Sequence, residues 1–275
     1  MKKPIVNFIN LILNFFLLFL SFKCFQFFYD SILHFVLKLK GFKNFGNFNL
    51  SGEELFLNNI KKYNLDYSLD IGAHTGNYSK KIIEITKSKV ICFEPSKDSY
   101  SKLKKLKKDY YKKILIYNVA LSNKSKLLNF YKVGNESQLA SFEKNINKFN
   151  YVKKKDIKVT KIKTFNGDNF INKLKIKGNI DFIKIDAEGH EYQILLGLNK
   201  TIRKHKPKFI QFEMNWHSLF NGNTLFKISS QFAGYDIFRM LPYKSGLMKV
   251  DPNHPNNNLF HLCNYVLIKK GISLN

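Results

Sequence analysis

The sequence predicts an α/β fold: a mostly parallel, Rossmann-like sheet with an antiparallel last strand, N-terminal helices and a β insertion after strand three. Three observations carry this. Short apolar runs alternate with amphipathic helical stretches from Tyr67 to Phe232. The first run, Tyr67–Ile71, passes through a glycine turn straight into a helix. The last two, Tyr235–Met240 and Tyr265–Lys269, have no helix between them, and strands joined without a crossover normally pair antiparallel.

A length of 275 residues fits one α/β domain, 51–275, behind an N-terminal hydrophobic and amphipathic helical segment, 1–50. The net charge of +26 looks like a nucleic-acid signal, but only two of the 46 basic residues are arginine, Arg203 and Arg239. Arginine is the preferred reader of phosphate and guanine. The lysines are scattered, and the joint excess of Lys, Asn, Ile, Phe and Tyr is what AT-rich coding imposes. The charge is therefore read as compositional, with no nucleic-acid partner expected, although it raises affinity for acidic lipid. Cys24, Cys92 and Cys263 share no ligand spacing and form no disulfide framework, which points to a reducing, cytoplasmic location.

Ile5–Phe22 is an uncharged run after Lys2 and Lys3. Asn7, Asn10 and Asn14 recur at helical spacing and make its first half amphipathic. An interfacial helix with peripheral membrane contact, a spanning helix and a helix packed on the domain all stay open. No cleavage site follows, so a signal peptide is not expected. Phe25–Leu39 reads as a second helix and Gly41–Gly52 as a connector. Ser51-x-x-Glu54 is a capping-box pattern opening a helix through Lys62.

The core follows. Strand one is Tyr67–Ile71, and Asn77 is the expected N-cap of helix Tyr78–Thr86. Strand two is Val90–Phe93, helix Lys97–Asp109 carries the stripe Tyr100, Leu103 and Leu106, and strand three is Ile114–Ala120. Leu127–Val133 and Ile157–Thr164 form the insertion. A short helix Asp168–Leu174, strand four Asp181–Ile185, helix Glu191–Lys204, strand five Phe209–Glu213 and a helix near Thr224–Phe232 complete the alternation. The loop Pro242–Leu262 is irregular.

Three clusters bear chemistry. The glycine turn reads Asp70-x-Gly72-x-x-x-Gly76, and Glu94, at the tip of strand two, lies 24 residues after Asp70. A carboxylate there accepts hydrogen bonds from a ribose diol. This spacing is not Gly-x-Gly-x-x-Gly. It suits a nucleoside with a cationic tail, S-adenosylmethionine, better than NAD. The bland reading is a strand–turn–helix whose glycines only serve the turn. The second cluster, Lys184-Ile-Asp-Ala-Glu-Gly-His-Glu191, ends strand four at the switch point beside strand one. Asp186, Glu188, His190 and Glu191 should face the ligand, against the bland reading that Glu188 or Glu191 caps a helix and pairs with a lysine. The third, Gln211-Phe-Glu-Met-Asn-Trp-His217, places Glu213 beside Asp186, where two carboxylates could hold a divalent cation or position a hydroxyl. His217 reads as a surface loop histidine, and His74 as packing near the cofactor.

Asp70-Ile-Gly-Ala-His-Thr-Gly76, Phe93-Glu-Pro95, Asn118-Val-Ala-Leu-Ser122 and Ile183-Lys-Ile-Asp-Ala-Glu-Gly-His-Glu191 stand in the order and rough spacing of the FkbM-like family of S-adenosylmethionine-dependent methyltransferases. The resemblance covers about Glu53 to Lys269, and the run from Ile183 is its most specific part. It implies a class I methyltransferase sheet and O-methylation of a hydroxyl on a sugar, a polysaccharide precursor or a related metabolite. It implies Asp70, Gly72, His74, Gly76, Glu94 and Asn118 at the cofactor. Asp186, Glu188 and His190 become the catalytic group, with His190 or Asp186 as base. Asp186 and Glu213 would be the ligands of any metal. The family's Thr-Leu-Asp stands here as Thr164-Phe165-Asn166, with an amide in place of the acid. The rivals are an NAD-dependent oxidoreductase or epimerase, a membrane-bound non-catalytic protein on this fold, and a nucleic-acid methyltransferase. The last lacks its Asn/Asp-Pro-Pro-aromatic element after strand four.

Overall fold

Twelve strands lie among the described residues of this computed structural model, which are 10, 13–17, 20–44, 48–134, 140–148, 152–153 and 156–274. In chain order they are β1 (Tyr67–Ile71), β2 (Lys89–Phe93), β3 (Ile114–Tyr117), β4 (Ala120–Ser122), β5 (Leu127–Val133), β6 (Ala140–Ser141), β7 (Ile157–Asn166), β8 (Ile180–Ile185), β9 (Phe209–Met214), β10 (Tyr235–Met240), β11 (Leu247–Lys249) and β12 (Cys263–Lys269). The main sheet has the order β11-β10-β12-β9-β8-β1-β2-β3. Neighbours from β9 to β3 pair parallel. β12 runs antiparallel between β9 and β10. The irregular loop expected over 242–262 instead contributes β11, antiparallel to the outer edge of β10. The sheet therefore has two antiparallel strands rather than one.

Strand three does not run unbroken from Ile114 to Ala120. Asn118 donates its side-chain amide to the carbonyls of Glu94, at 2.8 Å, and Pro95, at 3.1 Å, and the chain leaves the ladder there. β4 then opens a second sheet, β4-β7-β5-β6, which is the expected insertion. The helix expected over Glu191–Lys204 is two helices, Glu191–Gly197 and Asn199–His205. Asp168 explains the break: its carboxylate accepts from the N–H of Lys200 and Thr201, at 3.1 and 2.7 Å, and caps a new helix start. Asn166 caps helix Gly167–Lys173 by accepting from the N–H of Asn169 at 3.0 Å.

Two N-caps differ from expectation. Gly76, at φ +88°, caps helix Asn77–Thr86, so Asn77 is its first residue rather than its cap. Gly52, at φ +84°, caps helix Glu53–Ile60, and the Ser51 hydroxyl instead donates to the Glu53 carboxylate at 2.8 Å. In both places a left-handed turn is needed, and glycine adopts it at no steric cost.

The apolar face of the sheet carrying Leu69, Ile183 and Ile210 packs on helix Glu191–Gly197; the face carrying Phe182 and Phe209 packs on helices Glu53–Ile60 and Asn77–Thr86. The second face is not purely apolar. Asp70, Lys184 and Gln211 stand side by side across β1, β8 and β9. The Lys184 ammonium lies 3.8 Å from Asp70 Oδ1, 3.0 Å from Asp186 Oδ2 and 5.0 Å from the centre of the Tyr78 ring. The Tyr78 hydroxyl donates to Gln211 Oε1, and Gln211 Nε2 donates to Glu53 Oε1 at 2.8 Å. A buried polar row of this kind is tolerated because each member has a partner.

Within segment 1–50, Leu37 and Phe42 are buried in the core. Residues 10, 13–17 and 20 are helical and exposed. Residues 5–9, 11, 12, 18 and 19 of the run Ile5–Phe22 lie outside the described residues. Among the described residues no helix is long and apolar enough to cross a membrane.

Candidate active site

The strand order reverses between β8 and β1, and the carboxyl ends of these strands open on a cavity of about 410 Å³. One wall is the turn after β1. Gly72 and Ala73 donate their N–H groups to the Phe93 carbonyl at 2.9 and 3.1 Å. Gly72 sits at φ +82°, and a Cβ there would lie 1.7 Å from the carbonyl oxygen of Asp186. The turns after β1 and β8 thus pack backbone on backbone. Gly72→Ala is expected to cost about 3 kcal/mol, from left-handed strain of roughly 1–2 kcal/mol and overpacking of roughly 1–3 kcal/mol. Gly246, at φ +80° with open space around it, is the control: Gly246→Ala carries the strain alone, and urea unfolding of both variants separates the two contributions.

Glu94 ends this wall. Its Oε2 accepts from His74 N–H at 2.8 Å and its Oε1 from Ser96 N–H at 2.7 Å. Burial pushes its carboxyl up to about 7 against the pull of those two N–H groups. His74 is left-handed, at φ +49°, and lines the cavity with Gly72 and Glu94. Asp70 and Gly76 are not among the lining residues. Asp70 lies beneath the turn, fully buried, accepting from the Ser79 hydroxyl. Gly76 lies with its Cα against Leu103 and Leu106. Asn118 acts on the carbonyls beside Glu94 rather than on the cavity.

The opposite wall is the turn after β8. Glu188, at φ +48°, and Gly189, at φ +96°, are consecutive left-handed residues. That conformation is unusual for a glutamate and marks a constrained position. Carboxylate oxygens of Asp186, Glu188 and Glu213 lie within 4.8 Å of one another. Asn215 Nδ2 donates to both Glu188 and Glu213, at 3.0 and 3.1 Å. Burial first, and then the Asp186 charge, hold the Glu188 and Glu213 carboxyls well above the ordinary range. Glu191 belongs to the turn itself: its Oε1 accepts from Ala187 and Gly189 N–H at 2.8 and 3.1 Å, and burial raises it to about 7.

The second sheet closes the third side with Phe130, Ala140 and Phe142. His190 Nε2 lies 2.9 Å from the Ser122 hydroxyl, its ring 4.8 Å from that of Phe142. Burial depresses His190 to about 4, so it is a neutral imidazole at physiological pH. His217, expected on the surface, is buried at the start of a short helix, with Nε2 3.7 Å from Glu188 Oε2, and burial lowers it to about 4 as well. Its position follows from Gly189, whose Cα faces the His217 side chain.

Lys184, Asn215, Trp216 and the buried setting of His217 had no assigned role in the sequence reading. Lys184 had a visible signal, a lone charge inside Ile183-Lys-Ile185. Asn215 and Trp216 had none, because their places depend on a loop geometry no spacing encodes.

The sequence matches the family model for the methyltransferase FkbM domain over residues 70–241. No curated protein matches the chain. Among solved structures, methyltransferase FkbM from Methylobacillus flagellatus KT is 19% identical over 74% of this chain, with a TM-score of 0.44; the match spans 44% of that protein's chain. Precorrin-6y C5,15-methyltransferase from Geobacter metallireducens GS-15 is 9% identical over 80% of this chain and 89% of its own, with a TM-score of 0.40. A candidate methyltransferase from Streptococcus mutans in complex with SAH is 10% identical over 78% of this chain and 96% of its own, with a TM-score of 0.41. Since the family match takes in well over half of the sequence, from Asp70 at the end of β1 to Leu241 just past β10, the chain belongs to the FkbM methyltransferase family.

Proposed function

We propose that the protein is an S-adenosylmethionine-dependent O-methyltransferase acting on a hydroxyl of a sugar, a polysaccharide precursor or a related metabolite. The observation that carries this reading is the pair of walls of one cavity at the switch point: Glu94 on one and Asp186 and Glu188 on the other, with the Glu213 carboxylate within 4.8 Å of those two. Each Glu94 oxygen accepts one backbone N–H and keeps a second lone pair for a ribose hydroxyl. Gly72 and His74 line the same cavity, beside the place of the rest of the ligand. When bound, S-adenosylmethionine supplies an activated methyl group on its sulfonium.

The protein's part is to hold the acceptor oxygen in line and to take its proton. Glu188 fits that task best. It lines the cavity, and a carboxyl raised by burial is a better match to a hydroxyl proton than an imidazole depressed to about 4. His190 then holds the Ser122 wall. With the cofactor bound, Glu188 would take the acceptor hydroxyl's proton as the methyl passes from the sulfonium sulfur to that oxygen, leaving the thioether S-adenosylhomocysteine. The three carboxylates are also hard oxygen donors of the type Mg²⁺ takes. Turnover lost on chelation and restored by Mg²⁺ would assign them a cation.

Calorimetric titration with S-adenosylmethionine, S-adenosylhomocysteine and NAD tests the cofactor. Both adenosyl ligands should bind and NAD should not, and Glu94→Gln should weaken them about 10- to 100-fold, the value of one hydrogen bond to a charged group. Wild-type affinity should fall as pH drops through about 7, where Glu94 takes up its proton, and that dependence should vanish in the variant. Binding of NAD alone would move the assignment to the oxidoreductase.

A further inference from the structure

Helix Gln26–Leu39 is built inside out for a helix in water. Phe28, Ile32, Phe35 and Leu39, at i, i+4, i+7 and i+11, form one stripe. All four are exposed, and Phe27, on the side of His34 and Lys38, is 84% exposed. The opposite side carries Asp30, His34 and Leu37; Leu37 is the helix's one buried residue, and Asp30, His34 and Lys38 are exposed like the stripe. A surface helix of a water-soluble domain puts its apolar stripe on the core; this one turns the stripe away. Among the described residues, 14 of the 22 exposed large apolar side chains lie before residue 40. A patch of that kind marks an interaction site.

The charge pattern says which partner fits. Between Lys23 and Lys38 the only charged residue is Asp30, and Lys38, Lys40 and Lys43 cluster at the far end. Apolar side chains in the middle and ammonium groups at the ends match a lipid surface, with acyl chains below and anionic headgroups at the rim. At 14 residues the helix is about 21 Å long, too short to cross the roughly 30 Å hydrocarbon core, so it lies in the interface.

Its attachment is close to the cavity. Phe42 is fully buried, its ring 4.4 Å from the Arg239 guanidinium and 6.5 Å from the His261 ring. Lys43 N–H donates to the Leu262 carbonyl at 2.8 Å, and Leu262 lines the cavity. The helix is thus tied by its C-terminal end to a residue of the cavity wall.

We propose that helix Gln26–Leu39 docks on an anionic bilayer and brings the cavity to the membrane surface, so that the acceptor hydroxyl is carried by a lipid-anchored molecule. The acceptor half rests on the methyl-transfer reading above; the docking half does not.

The test uses the full chain, sedimented with vesicles of phosphatidylcholine alone or mixed with phosphatidylglycerol. The protein should pellet with the mixed vesicles and be released by salt. Phe27→Ser and Phe35→Ser, both remote from the cavity, should each weaken partitioning by at least about tenfold. Trp216, the chain's single tryptophan, lines the cavity and reports its position. With a dansyl-labelled lipid in the vesicles, Trp216 emission should fall by energy transfer on binding. No pelleting would overturn the docking. A dimer in solution that becomes monomeric with Phe35→Ser would do the same, since the stripe would then face a second copy. Pelleting without energy transfer would overturn the acceptor half. Titration of S-adenosylmethionine into the protein with and without the vesicles keeps the two readings apart: intact cofactor binding with no docking removes this proposal alone.

Discussion

Glu188→Gln is expected to lower methyl-transfer turnover by about 10²- to 10⁴-fold, the usual worth of a positioned base, while S-adenosylmethionine affinity stays within a few-fold. The amide keeps the shape of the side chain and the Asn215 contact, but it cannot take a proton. The wild-type rate should fall as pH drops through the Glu188 titration, because the base works only when ionised. That limb should lie well above the ordinary glutamate range, raised by burial and next by Asp186. Asp186→Asn removes the second of these causes and should move the limb to lower pH. The measurement is tritiated methyl transferred from the cofactor to acceptor against pH in all three proteins. A Glu188→Gln enzyme of full activity, or an unmoved limb in Asp186→Asn, would place the base elsewhere.

Lys184→Met should destabilise the fold by about 3–5 kcal/mol near neutral pH, the cost of stripping the partner from a buried charge. Lys184 is the ammonium that faces Asp70 and Asp186, and it also lowers the Glu53 carboxyl. Burial already holds Asp70 and Glu53 above their ordinary range, and losing the cation pushes both higher. Below the unfolded-state values both states are protonated, and the penalty vanishes. It grows as pH rises through the folded-state values. Urea unfolding at about pH 5 and about pH 8 should therefore show the larger loss at the higher pH. Equal losses would mean that Lys184 acts through packing alone.

The order of elements was legible because each core strand is a short apolar run and each helix carries its own stripe. Lys97–Asp109, Leu127–Val133 and Tyr235–Met240 have the bounds read from sequence. Errors fell where a side chain reaches across the fold to overrule local pattern. Asn118 bends β3 out of the sheet, and Asp168 restarts a helix at Asn199; neither act is visible within a window of neighbouring residues. The site shows the same division. Glu94 and Asp186 directly follow β2 and β8, and Glu188 lies two residues on, so their place on one cavity follows from topology. The support given by Lys184 and Asn215, and the burial of His217, depend on which residues oppose one another between strands and loops.

The backbone contact between Gly72 and Asp186 also bears on how such a protein can change its acceptor. Two walls of the cavity meet main chain to main chain, with no room at Gly72 for a side chain between them. The third wall meets the cavity through the side chains of Phe130 on β5, Ala140 on β6 and Phe142 just past it, which belong to a sheet separate from the main one. Exchange of residues 127–166 between relatives should therefore re-target the reaction while the cofactor half carries on unaltered.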